Sequence, residues 1–210
     1  MVFSLPKIYP ITDTTISGLS HSEQIERLAA GGATLIQLRE KHASPREFYR
    51  MALDAMIIAR RLGVQIIVND RVDIAIAVDA DGVHLGQDDL PPERARLLMG
   101  DSRIIGFSTH SLEQALAADS APVDYLAIGP IFQTSSKEKP DPVVGVAALG
   151  TIKAQTTKPL IAIGGITLET ISRVISAGAD SVAIISDLLS AKDITAQTRS
   201  YFERSVVSSP

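Results

Sequence analysis

In the run IVNDRVDIAIAVDADGVHLGQDD, from Ile67 to Asp89, polar groups follow closely on two short apolar stretches. Asn69 and Asp70 come straight after IIV, while Gln87, Asp88 and Asp89 come just after GVHL. In α/β folds the strand ends are where function concentrates. If these two strands are parallel neighbours, both carboxylate clusters emerge on one rim. Two acids converging there suit a Mg²⁺ ion that holds a phosphate-bearing substrate. The competing reading is ordinary helix capping, for which Asn and Asp are equally well suited.

Other apolar runs end in groups that handle anions. Gln37, Arg39 and Lys41 alternate in QLREK, so an extended chain puts all three on one side. Arg offers a planar fork to phosphate oxygens and Lys a mobile point charge. Thr134, Ser136 and Lys137 in QTSSKEK add two hydroxyls and another cation, although a solvated loop charge is the alternative for Lys137 alone. Gly164-Gly165 and Ile185-Ser186 follow the last two apolar runs. There, backbone N–H groups and a helix start can cradle a phosphate, with a plain tight turn as the alternative. Ser108 and His110 end the run RIIGFSTH. Nothing pairs His110 with a nucleophile, so a serine hydrolase is not supported. His84, inside GVHL, reads as a core or barrel-interior residue.

The elements that must position these groups alternate regularly. Apolar blocks and helical patterns take turns along the chain, which argues for βαβ units in a parallel sheet. The first strand starts near Lys7, with Asp13 just past its end. Ser20 with Glu23, and Ser44-Pro45 with Glu47, have the spacing of capping boxes, predicting helices to about Ala30 and Leu62. The turns AAGGATL, AVDADGV and SAGADSV resemble one another, as expected of a repeated unit. The segment GPIFQTSSKEKPDPVVG carries three prolines and mixed charges, predicting a long loop. Eight strand-helix units in 210 residues predict an α/β chain folded as a single-domain TIM (β/α)₈ barrel over residues 1–210, with SVVSSP as a polar tail. An open doubly wound sheet is the runner-up, but its usual glycine-rich first turn is missing from ITD.

Composition narrows the chemistry. Hydrophobic residues make up 45% and aromatics 4%, so the core must be aliphatic. A formal charge of -4 leaves no footprint for nucleic acid. With no cysteine, disulfides, a redox dithiol and a Cys-ligated zinc are excluded. The four histidines form no HExxH motif, which counts against a zinc hydrolase. No window has the length and apolarity of a membrane span, so the expectation is a cytoplasmic protein without a membrane partner. A homodimer is compatible with all of this.

Taken in order, YPITD, QLREK, IIVNDRVDIA, ADGVHLGQDDLP, IIGFSTHS, YLAIGPIFQTSSKEK, IAIGGI and GADSVAIIS closely resemble the thiamine-phosphate synthase family across nearly the whole chain. That resemblance implies a transferase on a TIM barrel. It would join a hydroxymethylpyrimidine diphosphate to a thiazole monophosphate (or its carboxylated form), releasing pyrophosphate. It also implies that Asp70 and Asp89 hold Mg²⁺ on the diphosphate, which Arg39, Lys41, Asn69, Thr134, Ser136 and Lys137 contact or orient. Gln37 would hydrogen-bond the pyrimidine, Ser108 would sit near the reacting centre, and Gly165, Ile185 and Ser186 would hold the thiazole phosphate. The family often has threonine where Ser136 stands, and serine keeps the hydroxyl. A thiazole phosphate tautomerase and a noncatalytic regulatory barrel are the alternatives, and neither needs the whole set of Asp70, Asp89, Arg39, Lys41 and Lys137.

Overall fold

The computed structural model describes residues 5–134 and 141–207. Eight parallel strands close into a barrel in sequence order: β1 (Ile8–Thr12), β2 (Leu35–Leu38), β3 (Gln65–Asn69), β4 (Gly82–Leu85), β5 (Ile104–Thr109), β6 (Tyr125–Ile128), β7 (Leu160–Ile163) and β8 (Ser181–Ile184). Helices α1 (Thr14–Ser17) and α2 (His21–Ala30) follow β1, and α3 (Pro45–Leu62), α4 (Val72–Ala77), α5 (Pro92–Met99) and α6 (Leu112–Asp119) follow the next four strands. After β6 comes α7 (Gly145–Gln155), after β7 α8 (Ile171–Ser176), and after β8 both α9 (Ser186–Leu189) and α10 (Ile194–Val207). The TIM barrel expected from the sequence is the fold observed.

Strand alternation divides the apolar residues into two cores. Ile36 and Leu38 face outward into the large core under the helices. Leu35 faces inward, joining Tyr9, Ile11, Ile67, Ile104, Tyr125, Ala127, Ile161 and Ala183 in the barrel interior. Each fully buried Ile or Leu contributes roughly 1.5–3 kcal/mol, so the aliphatic helix-sheet layer carries most of the stability. Gly106 makes the interior possible: a Cβ there would lie 2.0 Å from Cζ of Tyr125, whose ring occupies that space.

Both expected capping boxes are present, at Ser20/Glu23 and Ser44/Glu47. The similar turns are structurally the same. The amides of Ala33, Ala80 and Ala179 each bond to the carbonyl five residues earlier, on Leu28, Ala75 and Val174. Two short helices, α1 and α9, add to the eight expected units. SVV of the presumed polar tail continues α10 to Val207, because Ser205 is buried with its hydroxyl on the Phe202 carbonyl, 2.7 Å away. Among the described residues no helix is long and apolar enough to cross a membrane.

Candidate active site

The register of β3 and β4 decides the first question posed by the sequence. They are parallel neighbours with Asn69 opposite His84, so Asp70 and Asp89 leave the barrel on the same rim. Asp70 takes a left-handed backbone conformation, φ 63°, with its N–H on the His84 carbonyl at 2.8 Å. Neither acid is the N-terminal cap of the helix that follows it: Arg71 precedes α4, Pro91 precedes α5, and no side chain caps either helix. The capping alternative therefore falls.

The two carboxylates face each other. Burial pushes the Asp89 carboxyl up to about 6, and the Asp70 charge, which shares a hydrogen bond with it, pushes the same way; the Gly86 N–H and the Lys41 charge oppose them. Gly86 N–H donates to Asp89 Oδ2 at 2.6 Å, and Lys41 Nζ donates to Asp70 Oδ2. Asp88 is exposed and has no such partners among the hydrogen bonds of the described residues.

Arg39 and Lys41 do not line one face as the alternation suggested. The strand ends at Leu38, and the chain bends over residues 41–43. Arg39 turns toward β1, where it pairs with Asp13, while Lys41 turns toward β3 and Asp70. Asp13 also caps α1 through the N–H groups of Thr15 and Ile16, at 3.0 and 3.1 Å. Glu40, between the two cations, shapes the bend by accepting from Thr14 Oγ1 and His42 N–H, both at 2.8 Å.

Gln37 points inward and donates from Nε2 to the Tyr9 hydroxyl at 3.2 Å. Asn69 ends β3, 8% exposed. Ser108, half-buried at the end of β5, has its Oγ 2.8 Å from Nε2 of His84. His84 is the barrel-interior residue expected from the sequence, and it also reaches Ser108. Only its inward parity on β4, two residues before the rim at Gly86, hinted at this contact. His110 is held elsewhere, with Nδ1 2.6 Å from the Gly129 carbonyl and Nε2 3.5 Å from Asp141. Both ring nitrogens thus tie it to the long loop, and acid-base work at the reacting centre is not supported by its position.

Thr134 lies at the edge of the described residues, half-buried, and Ser136 and Lys137 lie outside them. Gly165 follows β7, and Ile185 and Ser186 follow the adjacent β8. The glycine pair has a packing reason of its own: a Cβ on Gly164 would lie 2.6 Å from Pro130, and one on Gly165 2.4 Å from the Gln133 carbonyl. Phe132 N–H bonds to the Gly164 carbonyl at 2.9 Å, so the loop after β6 is laced to the turn after β7. Ser186 starts α9, and Asp187 anchors that helix on α10 by accepting from Tyr201 and from Gln197 Nε2.

Two abutting carboxylates, one with its pKa raised by burial, are groups that could hold a cation. Among the described residues no group of three or more acidic or imidazole side chains is placed to hold a metal ion. Mg²⁺ commonly uses one or two carboxylates and completes its shell with water and substrate phosphate, so a pair such as Asp70 and Asp89 could hold it.

Comparison with known proteins decides the lineage. Residues 8–188 match the family model described as thiamine monophosphate synthase. The chain belongs to this family. It is 45% identical to the thiamine-phosphate synthase of Chloroflexus aurantiacus over 194 residues, covering 92% of this chain and 89% of that protein. The corresponding protein of Koribacter versatilis is 50% identical over 168 residues, 76% of this chain and 77% of the relative. A solved thiamine phosphate pyrophosphorylase from Pyrococcus furiosus superposes with a TM-score of 0.88 at 36% identity, covering 97% of both chains.

Proposed function

We propose that this chain makes thiamine phosphate by joining 4-amino-5-hydroxymethyl-2-methylpyrimidine diphosphate to 4-methyl-5-(2-phosphoethyl)thiazole with release of pyrophosphate. The observation that carries this reading is the Asp70–Asp89–Lys41 cluster on two adjacent strand ends. A tautomerase or a regulatory barrel has no use for two facing, half-buried acids beside a lysine on this rim.

In this reading Asp70 and Asp89 would hold Mg²⁺, which would supply positive charge to the diphosphate leaving group. Lys41, Arg39 and Lys137 neutralise the remaining phosphate charge, and Asn69, Thr134 and Ser136 orient its oxygens. The carbon–oxygen bond between the pyrimidine methylene and the diphosphate breaks first. Both bonding electrons leave with pyrophosphate, and the aminopyrimidine ring shares the positive charge left on carbon. The thiazole nitrogen then donates its lone pair to form the new carbon–nitrogen bond. No nucleophile from the protein is required, in keeping with the absence of cysteine. Gln37 and Ser108 fix the pyrimidine, while Gly165, Ile185 and Ser186 hold the thiazole phosphate, so that orientation rather than activation speeds the second step.

The test supplies both substrates to the purified protein with and without Mg²⁺ and measures thiamine phosphate and pyrophosphate. Equal amounts of both products, dependent on the metal, are expected. Binding of both substrates without product would end the assignment.

A further inference from the structure

Glu40 lies in sequence between Arg39 and Lys41, and among the described residues it pairs with neither of them. Its carboxylate is turned back on the chain instead. Oε1 accepts from the N–H groups of His42 at 2.8 Å and Ala43 at 3.2 Å, and Oε2 accepts from Thr14 Oγ1 at 2.8 Å. The side chain is only 5% exposed, although it belongs to the connection between β2 and α3. Behind it lies His21, the first residue of α2, its ring fully buried and its Nε2 3.9 Å from Glu40 Oε2. That nitrogen has no hydrogen-bond partner among the described residues, and of the charges near it the Glu40 carboxylate acts most strongly.

A carboxylate withdrawn from water is costly unless donors surround it, and Glu40 has three. Two of them are N–H groups that no helix or strand serves, because His42 and Ala43 precede the Ser44 cap of α3. Burial by itself would raise the Glu40 carboxyl. The His42 N–H, the Thr14 hydroxyl, the Ala43 N–H and His21 together outweigh it and hold the group below its ordinary value. Glu40 is therefore an anion at neutral pH with no proton to give, and its work is geometric. Ahead of it, the Arg39 N–H still meets Thr12 Oγ1 on β1 at 3.4 Å, and the Arg39 side chain pairs with Asp13. Beyond it, the bonds to His42 and Ala43 fold the chain back with Lys41 at the apex, so Lys41 leaves toward Asp70. The Thr14 bond fastens this fold to α1, one residue from Asp13. Lys41 itself is 42% exposed, and an ion pair so open to water contributes little to holding its direction.

We infer that Glu40 is a positioning residue whose carboxylate holds the bend that sends Arg39 toward β1 and Lys41 toward β3. Were the chain to stay extended through Lys41, alternation would put both cations on one side. Resting on the function proposed above, the consequence is that the diphosphate meets cations from two directions, one beside Asp13 and one beside Asp70. The hydrogen bonds of Glu40 matter here and its charge does not, since it neutralises neither cation.

The deciding experiment compares Glu40→Ala and Glu40→Gln with the parent. Glutamine keeps one oxygen for the two N–H groups, and the Thr14 hydroxyl can turn to accept from its amide. On substrate-free protein, amide exchange followed by NMR should show His42 and Ala43 protected at least about tenfold in the parent and in Glu40→Gln, and unprotected in Glu40→Ala. With both substrates and Mg²⁺, Glu40→Ala should lower kcat at least about tenfold with KM for the thiazole phosphate unchanged, while Glu40→Gln stays within about threefold of the parent. Unprotected amides in the parent, or an unchanged kcat in Glu40→Ala, overturn the inference. So does a Glu40→Gln that falls as far as Glu40→Ala, because the site would then be using the charge and not the bend. Should the parent form no thiamine phosphate, the proposed reaction falls, while the exchange rates in the three proteins still decide whether Glu40 holds the bend.

Discussion

At the rim where the strands begin, Asp81, Asp124 and Asp180 each accept a hydrogen from a backbone N–H of the preceding strand, on Ile66, Ile105 and Leu160, at 2.7–2.8 Å. Two of them have a cation as well: Arg96 sits 2.7 Å from Asp124, and Lys153 2.5 Å from Asp180. At the rim where the strands end, Asp70 and Asp89 face each other, and burial has raised one of them to about 6. Among the described residues one lysine, Lys41, pairs with Asp70. The same side chain therefore does opposite jobs on the two faces. Acids that hold the barrel together are compensated by backbone N–H groups and cations of the chain, whereas the two facing acids of the candidate site are, in the function we propose, completed by a ligand.

The largest effects should separate these faces. Asp89→Ala is expected to lower metal-dependent kcat/KM by at least about 100-fold, the scale of losing a major electrostatic contact to the leaving group. Thiazole phosphate binding, followed by calorimetry, and the melting temperature should hold. Arg96→Ala should do the reverse. Arg96 donates to the carbonyls of Gly100, Arg103 and Pro122 besides its pairing with Asp124. Losing this clamp should cost about 2–4 kcal/mol in urea melts, with turnover per folded molecule unchanged. A variant of either kind that loses both properties together would dissolve the distinction.

A smaller effect concerns pH. The folded Asp89 carboxyl is pushed up to about 6 by burial, above the ordinary aspartate value of 3.8. Its stabilising contribution is present below the unfolded pKa and is lost as pH rises through about 6. Metal-free Asp89→Asn should therefore be more stable than the parent at pH 7, by on the order of 1 kcal/mol once solvent screening is allowed for, and equal to it near pH 4. Thermal melts of both proteins at the two pH values measure this. Mg²⁺ affinity of the parent should also weaken below pH 6, because a proton then competes for Asp89.

Much of the architecture was legible in the sequence because its signals are local. Capping boxes, apolar runs and repeated turns each lie within a few residues, and they located the strands and the main helices. The short helices α1 and α9 escaped because four residues show no period; α1 depends on Asp13 as its cap. On the rim, Asp70 and Asp89 were readable from their places after two apolar runs. The divergence of Arg39 and Lys41 was not, since it depends on where the strand stops and on Glu40 folding the bend. His84 was hardest to see. Its partners Ser108 and Tyr125 are 24 and 41 residues away and meet it only because three strands share a register.

In the function we propose, Asp70 and Asp89 are a cation site for a diphosphate. Calorimetric titration of pyrophosphate into the protein, with and without Mg²⁺, tests it most directly. Mg²⁺ should tighten pyrophosphate binding at least about tenfold in the parent and have no such effect in Asp89→Asn. The same tightening in both proteins would contradict it.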